Sequence, residues 1–312
     1  MPSTRDIRRR ITSIKNTKQI TKAMEMVASV KMKRAQDAAM QTKEYAIASL
    51  KLLSELSGKV DRKMHPLLFD VKSDQTLIIL MTTDKGLCGA LNANVLKKTM
   101  EFMKNFEDKN KIDFIAVGKK GRDFLQHSGF NIKAEFINLG DKFGLNDIMP
   151  IAQIPLDDFV GKKYSKVVLI YNNFVNTMIQ VPIVNTLLPI TKENIIDLAT
   201  VGKDKDEKNA TTENTERTDN AKNKNSTEYI FEPSPNEVLK TMLPRLIEMQ
   251  VYQGALESNA SEHSARMVAM KSANDAASDM IDDLTLTFNK ARQAMITKEI
   301  TEISAGKVAL EG

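Results

Sequence analysis

The stretch that decides the fold is residues 4–57, TRDIRRRITSIKNTKQITKAMEMVASVKMKRAQDAAMQTKEYAIASLKLLSELS, which contains neither glycine nor proline. Ser3 followed by Asp6 is a typical helix start, because a short polar cap and an early carboxylate both satisfy free amides. Apolar and small residues recur at the three- and four-residue spacing of one helix face. These positions are Ile7, Ile11, Ile14, Met24, Ala28, Met32, Ala35, Leu52 and Leu56. The stretch predicts one helix of about 80 Å, far longer than a typical globular helix.

The C-terminal stretch repeats this pattern over a greater length. Residues 234–237, Ser-Pro-Asn-Glu, have the form of a capping box with proline at the first helical position. From there to Leu310 only one proline, Pro244, and two glycines interrupt the pattern. We predict a second helix of roughly 110 Å that pairs antiparallel with the first and leaves residues 290–312 as an unpaired overhang. Pro244 should kink its first turns or mark its true start.

Between these helices, short apolar strands alternate with helical stretches. The predicted strands are 75–82, 113–117, 132–139, 166–171 and 179–187, and the predicted helices are 94–106, 120–127 and 149–164. This alternation is typical of a Rossmann-like, mostly parallel sheet with crossover helices, and the short last connection predicts an antiparallel edge strand. The predicted fold class is therefore α/β plus a long antiparallel coiled coil formed by the N- and C-terminal helices.

Four segments follow from these patterns. We expect a coiled-coil helix in residues 1–60 and a central α/β domain in residues 72–199. Residues 200–228 are polar and charged with almost no large apolar group, which is typical of a disordered insertion. Residues 229–312 would hold the long C-terminal coiled-coil helix.

Charge and cysteine content narrow the function classes. Residues 1–58 carry a net charge of +7 and residues 236–312 a net charge of −3. A basic end can bind nucleic acid, or it can lie against an acidic partner such as the C-terminal segment. The single cysteine, Cys88, excludes a disulfide framework. We expect neither a transmembrane segment nor a secretory signal.

The loop TTDKGLCGALN, residues 82–92, follows the first predicted strand and opens a helix, which is where α/β folds bind phosphates. Its glycines have the spacing GxxG rather than GxGxxG, and the sequence has no P-loop motif. A tight turn is favoured over nucleotide binding, and a contact loop for a protein partner is a further interpretation. Cys88 has no histidine near it in sequence, so we expect a small buried side chain rather than a nucleophile. We predict no catalytic residue, cofactor or metal.

Four blocks of the sequence closely resemble the γ subunit of F-type ATP synthases. They are IRRRITSIKNTKQITKAMEMVASVKMKRAQ (7–36), TTDKGLCGALN (82–92), VYQGALESNASEHSARMVAMKSA (251–273) and LTFNKARQAMITKEITEISAGKVAL (286–310). The resemblance implies a rotor shaft that turns inside a ring of three α and three β subunits. Its foot would contact the ε subunit and the c-ring, proton flow through the c-ring would drive rotation, and the β subunits would carry the nucleotide chemistry.

The resemblance also implies a role for individual residues. Contact with β is implied for Met24, Arg292, Gln293, Thr297 and Lys298, and the bearing tip of the shaft would comprise Ile300, Ile303, Val308 and Leu310. Contact with the c-ring or ε is implied for Lys85, Gly86, Leu87, Cys88, Tyr229, Glu232 and Pro233. The chain would be a non-catalytic, peripheral subunit at the cytoplasmic face of a bacterial plasma membrane.

Three features depart from the family pattern. Ala90 replaces a glycine usual in the 82–92 loop, so its φ angle should not be positive. Lys307 stands in the tip where a small residue is usual, and the 200–228 insertion is longer than expected. The alternative from a different class is a coiled-coil adaptor that binds nucleic acid through residues 5–34. Phosphate contacts need clustered basic residues, which are present, whereas no aromatic residue for base stacking precedes Tyr45.

Overall fold

The computed structural model describes residues 3–56, 66–68, 71, 73–104, 106, 108, 111–190 and 234–311. The helices are α1 (Thr4–Leu56), α2 (Leu91–Met103), α3 (Lys119–His127), α4 (Leu145–Val160) and α5 (Pro235–Glu311), with one 3-10 turn at Pro66–Leu68. The strands are β1 (Thr76–Met81), β2 (Ile112–Val117), β3 (Asn131–Phe136), β4 (Lys166–Phe174) and β5 (Gln180–Leu188). The predicted 200–228 insertion lies outside the described residues.

The sheet has five strands in the order β3-β2-β1-β4-β5. The β1–β2, β1–β4 and β2–β3 pairs are parallel, and β4–β5 is antiparallel. This order confirms the predicted mostly parallel sheet with an antiparallel edge. Every side chain of β1, TLIILM, is buried, as expected for a central parallel strand that is covered on both faces.

Two apolar clusters cover the two faces of the sheet. One face packs against α2 and α3, with Ile78, Val95, Phe114, Leu125 and Ile170 in its core. The other face packs against α4 and the first turns of α5, where the α5 residues are Leu239, Leu243, Leu246, Ile247, Val251 and Ala255. The sheet therefore lies between two helical layers, and α5 supplies part of the second layer.

The long helices begin at the predicted caps. The Ser3 hydroxyl accepts the Asp6 amide at 3.2 Å and donates to the Asp6 carboxylate at 2.7 Å. The Ser234 hydroxyl accepts the Glu237 amide at 3.3 Å. Because α5 starts at Pro235 and continues through Pro244, Pro244 does not mark the start of the helix, and the alternative of a kink in its first turns stays a prediction. A proline within the first turns of a long helix removes one backbone hydrogen bond, and packing of the flanking leucines on the sheet offsets that loss.

Four of the predicted elements have at least one boundary that lies three or four residues from the observed one, and among them β3 ends at Phe136 rather than at residue 139. Helix α2 was expected at 94–106 and α4 at 149–164, and both begin and end earlier. For α4 the reason is a cap: the Asp147 carboxylate accepts the Gly144 amide at 2.8 Å and sets the start at Leu145. β4 also continues to Phe174, three residues beyond its expected end, because it pairs with β5 up to that residue.

The chain forms two compact units, which are described separately. The first comprises residues 1–29 and 266–312, and the second comprises residues 30–265. The second unit holds the sheet, α2 to α4 and the sheet-proximal parts of both long helices. There Gly254 of α5 lies so close to β4 that an added Cβ atom would be 2.9 Å from the Leu169 side chain. Glycine at this position lets the helix backbone approach the sheet.

Candidate partner-contact sites

The β1–α2 loop of the second unit is fixed by two side chains. Asn92 accepts the Thr83 amide at 3.2 Å and donates to the Thr83 hydroxyl at 2.7 Å. The Asp84 carboxylate accepts the amides of Lys119 and Asn138 at 3.0 and 2.9 Å, which joins the loop to its two neighbours at the carboxyl edge of the sheet. The loop is therefore rigidly positioned before any partner binds.

The tip of this loop presents an apolar side chain to solvent. Leu87 is 64% exposed and has a φ angle of 64°, a left-handed conformation that is uncommon for a bulky residue. Lys85 beside it is also exposed, and Gly86 is half-buried. Strained backbone conformations cluster at functional sites, and they persist only where the surrounding structure enforces them. The arrangement favours the interpretation of this loop as a partner contact.

Cys88 belongs to the interior of the loop. Its side chain is only 2% exposed, and the Asn92 amide nitrogen lies 3.3 Å from its sulfur. This burial confirms the expected small buried cysteine, and the implied contact of Cys88 with the c-ring or ε stays a prediction. Ala90 has a φ angle of −87°, as predicted for the residue that replaces a glycine. Within the described residues there is no cluster of three or more potential metal ligands.

The C-terminal end of α5, in the first unit, is the most exposed helical segment of the described chain. From Arg292 to Lys307 every side chain is exposed, in agreement with the predicted overhang. The Thr297 hydroxyl donates to the Gln293 carbonyl at 3.0 Å, and Lys298 lies 3.6 Å from the Glu302 carboxylate. These contacts stay within the helix, so the ends of Arg292 and Gln293 are presented to solvent.

Apolar residues lie on the same exposed segment. Ile300 and Ile303, both assigned to the bearing tip, are 62% and 74% exposed, and Met295 and Ile296 are exposed as well. Val308 and Leu310 lie beyond the side chains that the structure describes. A helix that exposes large aliphatic residues over several turns is stable when a partner surrounds it.

The N-terminal part of α1, also in the first unit, has one buried and one exposed face. Ile7 and Ala28 are buried, and Met24 is half-buried. The basic residues Arg8 to Arg10 and the apolar residues Ile20, Met26 and Val27 are exposed. This surface combines positive charge with aliphatic contacts, which suits a protein partner with acidic segments.

Helix α5 carries a buried polar seam, formed by Gln253 and Glu257, that was not predicted from the sequence. Gln253 donates to the Glu257 carboxylate at 2.9 Å and lies 3.5 Å from the Ala39 carbonyl of α1. Burial, together with Glu257 nearby, raises the pKa of Tyr171 well above 10. Polar residues on a helix usually indicate an exposed face, so the sequence pattern did not indicate that these two side chains are buried. The assigned contact residues Tyr229, Glu232 and Pro233 lie outside the described residues.

The comparisons with known proteins agree on one family. A family model described as ATP synthase matches residues 3–310. An ATP synthase gamma chain from Roseiflexus sp. (strain RS-1) is 42% identical over 313 residues, covering 99% of each chain. The ATP synthase gamma chain of Pelotomaculum thermopropionicum is 41% identical over 311 residues, covering all of both chains. The resemblance therefore extends over the full length, including both long helices.

Solved structures match in fold. A chain of the Euglena gracilis mitochondrial ATP synthase, in a structure of OSCP, F1 and the c-ring, has a TM-score of 0.63 at 18% identity over 98% of this chain and 94% of its own. A chain of the Tetrahymena thermophila enzyme, in a structure of the central stalk and c-ring, has a TM-score of 0.57 at 24% identity over 81% of this chain and 99% of its own. The comparisons give no support to the nucleic-acid alternative.

Proposed function

The chain belongs to the ATP synthase gamma family, and from this premise we propose that it is the central rotor shaft of a proton-translocating F-type ATP synthase. In this role it couples rotation of the c-ring to the conformational cycle of the catalytic β subunits. Full-length relatives named ATP synthase gamma chain, each at least 40% identical, support this assignment.

One structural observation carries the proposal: residues 292–307 of α5 form a helix with all of its described side chains exposed. An isolated helix of this length is marginal in water, and its aliphatic residues favour burial. A ring of α and β subunits would enclose such a helix. Aliphatic contacts at Ile300 and Ile303 form few directional bonds, so they permit rotation within that enclosure.

The contact residues divide between the two units. We assign Met24, Arg292, Gln293, Thr297 and Lys298 of the first unit to contacts with β. Arginine and glutamine suit this role because their side chains donate several hydrogen bonds to carboxylate or carbonyl oxygens. In the second unit we assign the exposed tip of the β1–α2 loop, Lys85 to Leu87, to the ε subunit or the c-ring. Tyr229, Glu232 and Pro233 join this second group by resemblance alone.

The proposal includes a non-catalytic role. The sequence has neither a P-loop nor a dinucleotide-binding glycine motif, and Gly89 lies in a turn with a φ angle of 59°. Nucleotide chemistry would belong to the β subunits. No helix among the described residues is long and apolar enough to cross a membrane. We therefore propose a peripheral position, at the cytoplasmic face of a bacterial plasma membrane, held there through the c-ring.

Co-purification tests this function. A tagged full-length chain, expressed with the α and β subunits of the same organism, is expected to yield a complex with ATPase activity, whereas the chain alone should hydrolyse no ATP. Failure of the chain to co-purify with α and β would overturn the rotor assignment. Stoichiometric ATP hydrolysis by the purified chain alone would overturn its non-catalytic role.

A further inference from the structure

The loop between β3 and α4, residues 137–144, crosses one face of α5 within the second unit, and we call it the strap. Both of its ends are fixed to the α/β domain. The Asn138 amide donates to the Asp84 carboxylate at 2.9 Å, and the Gly144 amide donates to the Asp147 carboxylate at 2.8 Å. A loop anchored at both ends can transmit force from the sheet to whatever its middle holds.

The middle of the strap packs on α5. The Phe143 ring meets the Tyr252 ring edge to face, with 6.2 Å between centroids and 83° between planes. Leu139 and Phe143 line a small cleft of about 60 Å³ together with Ala255, Ser258, Asn259 and Glu262 of α5. These α5 residues recur at three- and four-residue spacing, so one continuous face of the helix is turned toward the strap.

Polar contacts converge on one residue of the strap, Asp141. The Lys31 ammonium of α1 lies 2.6 Å from its Oδ2, and His263 Nε2 of α5 lies 3.3 Å from its Oδ1. The Asn259 amide donates to the Asp141 main-chain carbonyl at 3.2 Å. Asp141 is thus a point where side chains of both long helices meet the α/β domain.

The electrostatic surroundings keep Asp141 ionised. Burial by itself would raise its pKa, but the hydrogen bond and charge of Lys31, with smaller contributions from His263 and Lys85, hold the pKa of Asp141 below its usual value. The Lys31 side chain is 35% exposed and that of Asp141 45%, whereas that of His263 is 2% exposed. The pair with Lys31 is partly screened by solvent, so its contribution is modest.

We propose that Asp141 is the positioning residue through which the α/β domain holds α1 and α5 in fixed rotational register, so that torque passes from the domain to the helices. This inference rests on the proposed rotor function. Apolar packing resists separation of a helix from the sheet, but it is non-directional and resists rotation about the helix axis weakly. The hydrogen bonds from Lys31 to the Asp141 carboxylate and from Asn259 to the Asp141 main-chain carbonyl are directional, and they reach α1 and α5 respectively.

Hydrogen exchange on the full-length chain tests whether Asp141 holds the strap in place. In Asp141→Asn, which removes the charge, the strap amides should exchange roughly two- to fivefold faster, as expected for loss of a partly exposed ion pair. Lys142→Gln is the matched control, because it removes a neighbouring charge of the strap that is not part of the Asp141 contacts. Equal exchange rates of the strap amides in Asp141→Asn and wild type would show that Asp141 does not hold the strap in place.

Swapping the charges of Lys31 and Asp141 tests the torque role in the assembled enzyme. ATP hydrolysis and ATP-driven proton pumping are measured in vesicles for wild type, Asp141→Lys and the double variant Lys31→Glu with Asp141→Lys. The ratio of pumping to hydrolysis should fall in Asp141→Lys and recover in part in the double variant, which restores opposite charges across the contact. A merely structural role would lower the yield of complex and leave this ratio unchanged, so an unchanged ratio would overturn the proposal.

The two experiments separate failure of this inference from failure of the rotor function. If the wild-type chain does not assemble with α and β, the rotor function is wrong, and the torque role of Asp141 is wrong with it. The exchange experiment needs no partner and still decides whether Asp141 fastens the strap. If the strap loosens in Asp141→Asn but coupling is normal in Asp141→Lys, the contact is structural and torque passes elsewhere.

Discussion

The two ends of α5 lie in opposite environments although they belong to one 77-residue helix. Its first turns bury Leu239, Leu243 and Val251 against the sheet, while residues 292–307 expose every described side chain. Packing on the sheet stabilises the first part. Among the described residues nothing buries the second part, so its stability depends on helix propensity and on partners. One helix thus serves as a core element at one end and as a contact surface at the other.

The largest expected effect comes from truncating the buried end. Leu243 is fully buried in the cluster beneath the sheet, so Leu243→Ala should lower the free energy of unfolding by about 2–5 kcal/mol. Ile300→Ala, the matched truncation at the exposed end, should change it by less than about 0.5 kcal/mol. Urea denaturation of the two purified variants measures this contrast. Equal losses would show that the exposed end is packed in solution.

The second prediction reverses the contrast by measuring assembly instead of folding. Replacing both Arg292 and Gln293 with alanine should weaken binding to α and β about thirtyfold, as expected when a central arginine contact is lost. The free energy of unfolding should stay within about 0.5 kcal/mol of wild type, because both side chains are exposed.

The control for this double variant is Lys271→Ala, which replaces an exposed lysine on the same helix outside residues 292–307. It should bind α and β as wild type does. The Arg292 and Gln293 assignment would be contradicted by normal binding and normal ATP-driven proton pumping in the double variant.

The difference between the two ends also explains how far the sequence predicts the structure. Apolar runs such as residues 77–81 and polar caps such as Ser3 predict elements correctly, because local chemistry determines them. Helix α4 begins four residues before its predicted start because the Asp147 carboxylate accepts the Gly144 amide, a local cap that the apolar pattern does not reveal. The exposed segment 292–307 was anticipated from the unequal lengths of the two helices.

Contacts between distant residues could not be predicted from a single sequence. Lys31 and Asp141 are 110 residues apart in the sequence. His263 is one of several polar residues in its stretch of α5. No periodicity links such residues, since their proximity depends on how the strap crosses the helix. The same limit applies to Gln253 and Glu257, two polar residues of α5 that the structure buries.

The third prediction concerns that buried polar seam and its dependence on pH. An unfolded tyrosine ionises near pH 10, whereas burial holds the pKa of Tyr171 well above 10 in the folded chain. Between these two pKa values the folded chain keeps a proton that the unfolded chain releases. The contribution of Tyr171 to stability is therefore complete below pH 10, and it declines by about 1.4 kcal/mol per pH unit above it.

Urea unfolding of wild type and Tyr171→Phe between pH 9 and about 11 measures this contribution. Above pH 10 the free energy of unfolding of the variant should fall less steeply with pH than that of wild type, by about 1.4 kcal/mol per pH unit, whatever the stability of the variant at neutral pH. Tyr164→Phe is a useful companion, because burial and the bond to Asp113 raise the pKa of Tyr164 as well. An unchanged slope in Tyr171→Phe would mean that water reaches the seam.

The smallest expected effect is at Leu87, an exposed apolar residue of the second unit. Leu87→Gly removes the cost of a left-handed leucine but adds freedom to the unfolded chain, and these contributions nearly cancel. Leu87→Ala keeps the backbone strain and loses little burial. Both variants should unfold within about 0.5 kcal/mol of wild type and yet bind ε and the c-ring more weakly. If instead both lost more than about 1 kcal/mol, Leu87 would be part of the core, and the loop would resemble the buried end of α5 rather than the exposed one.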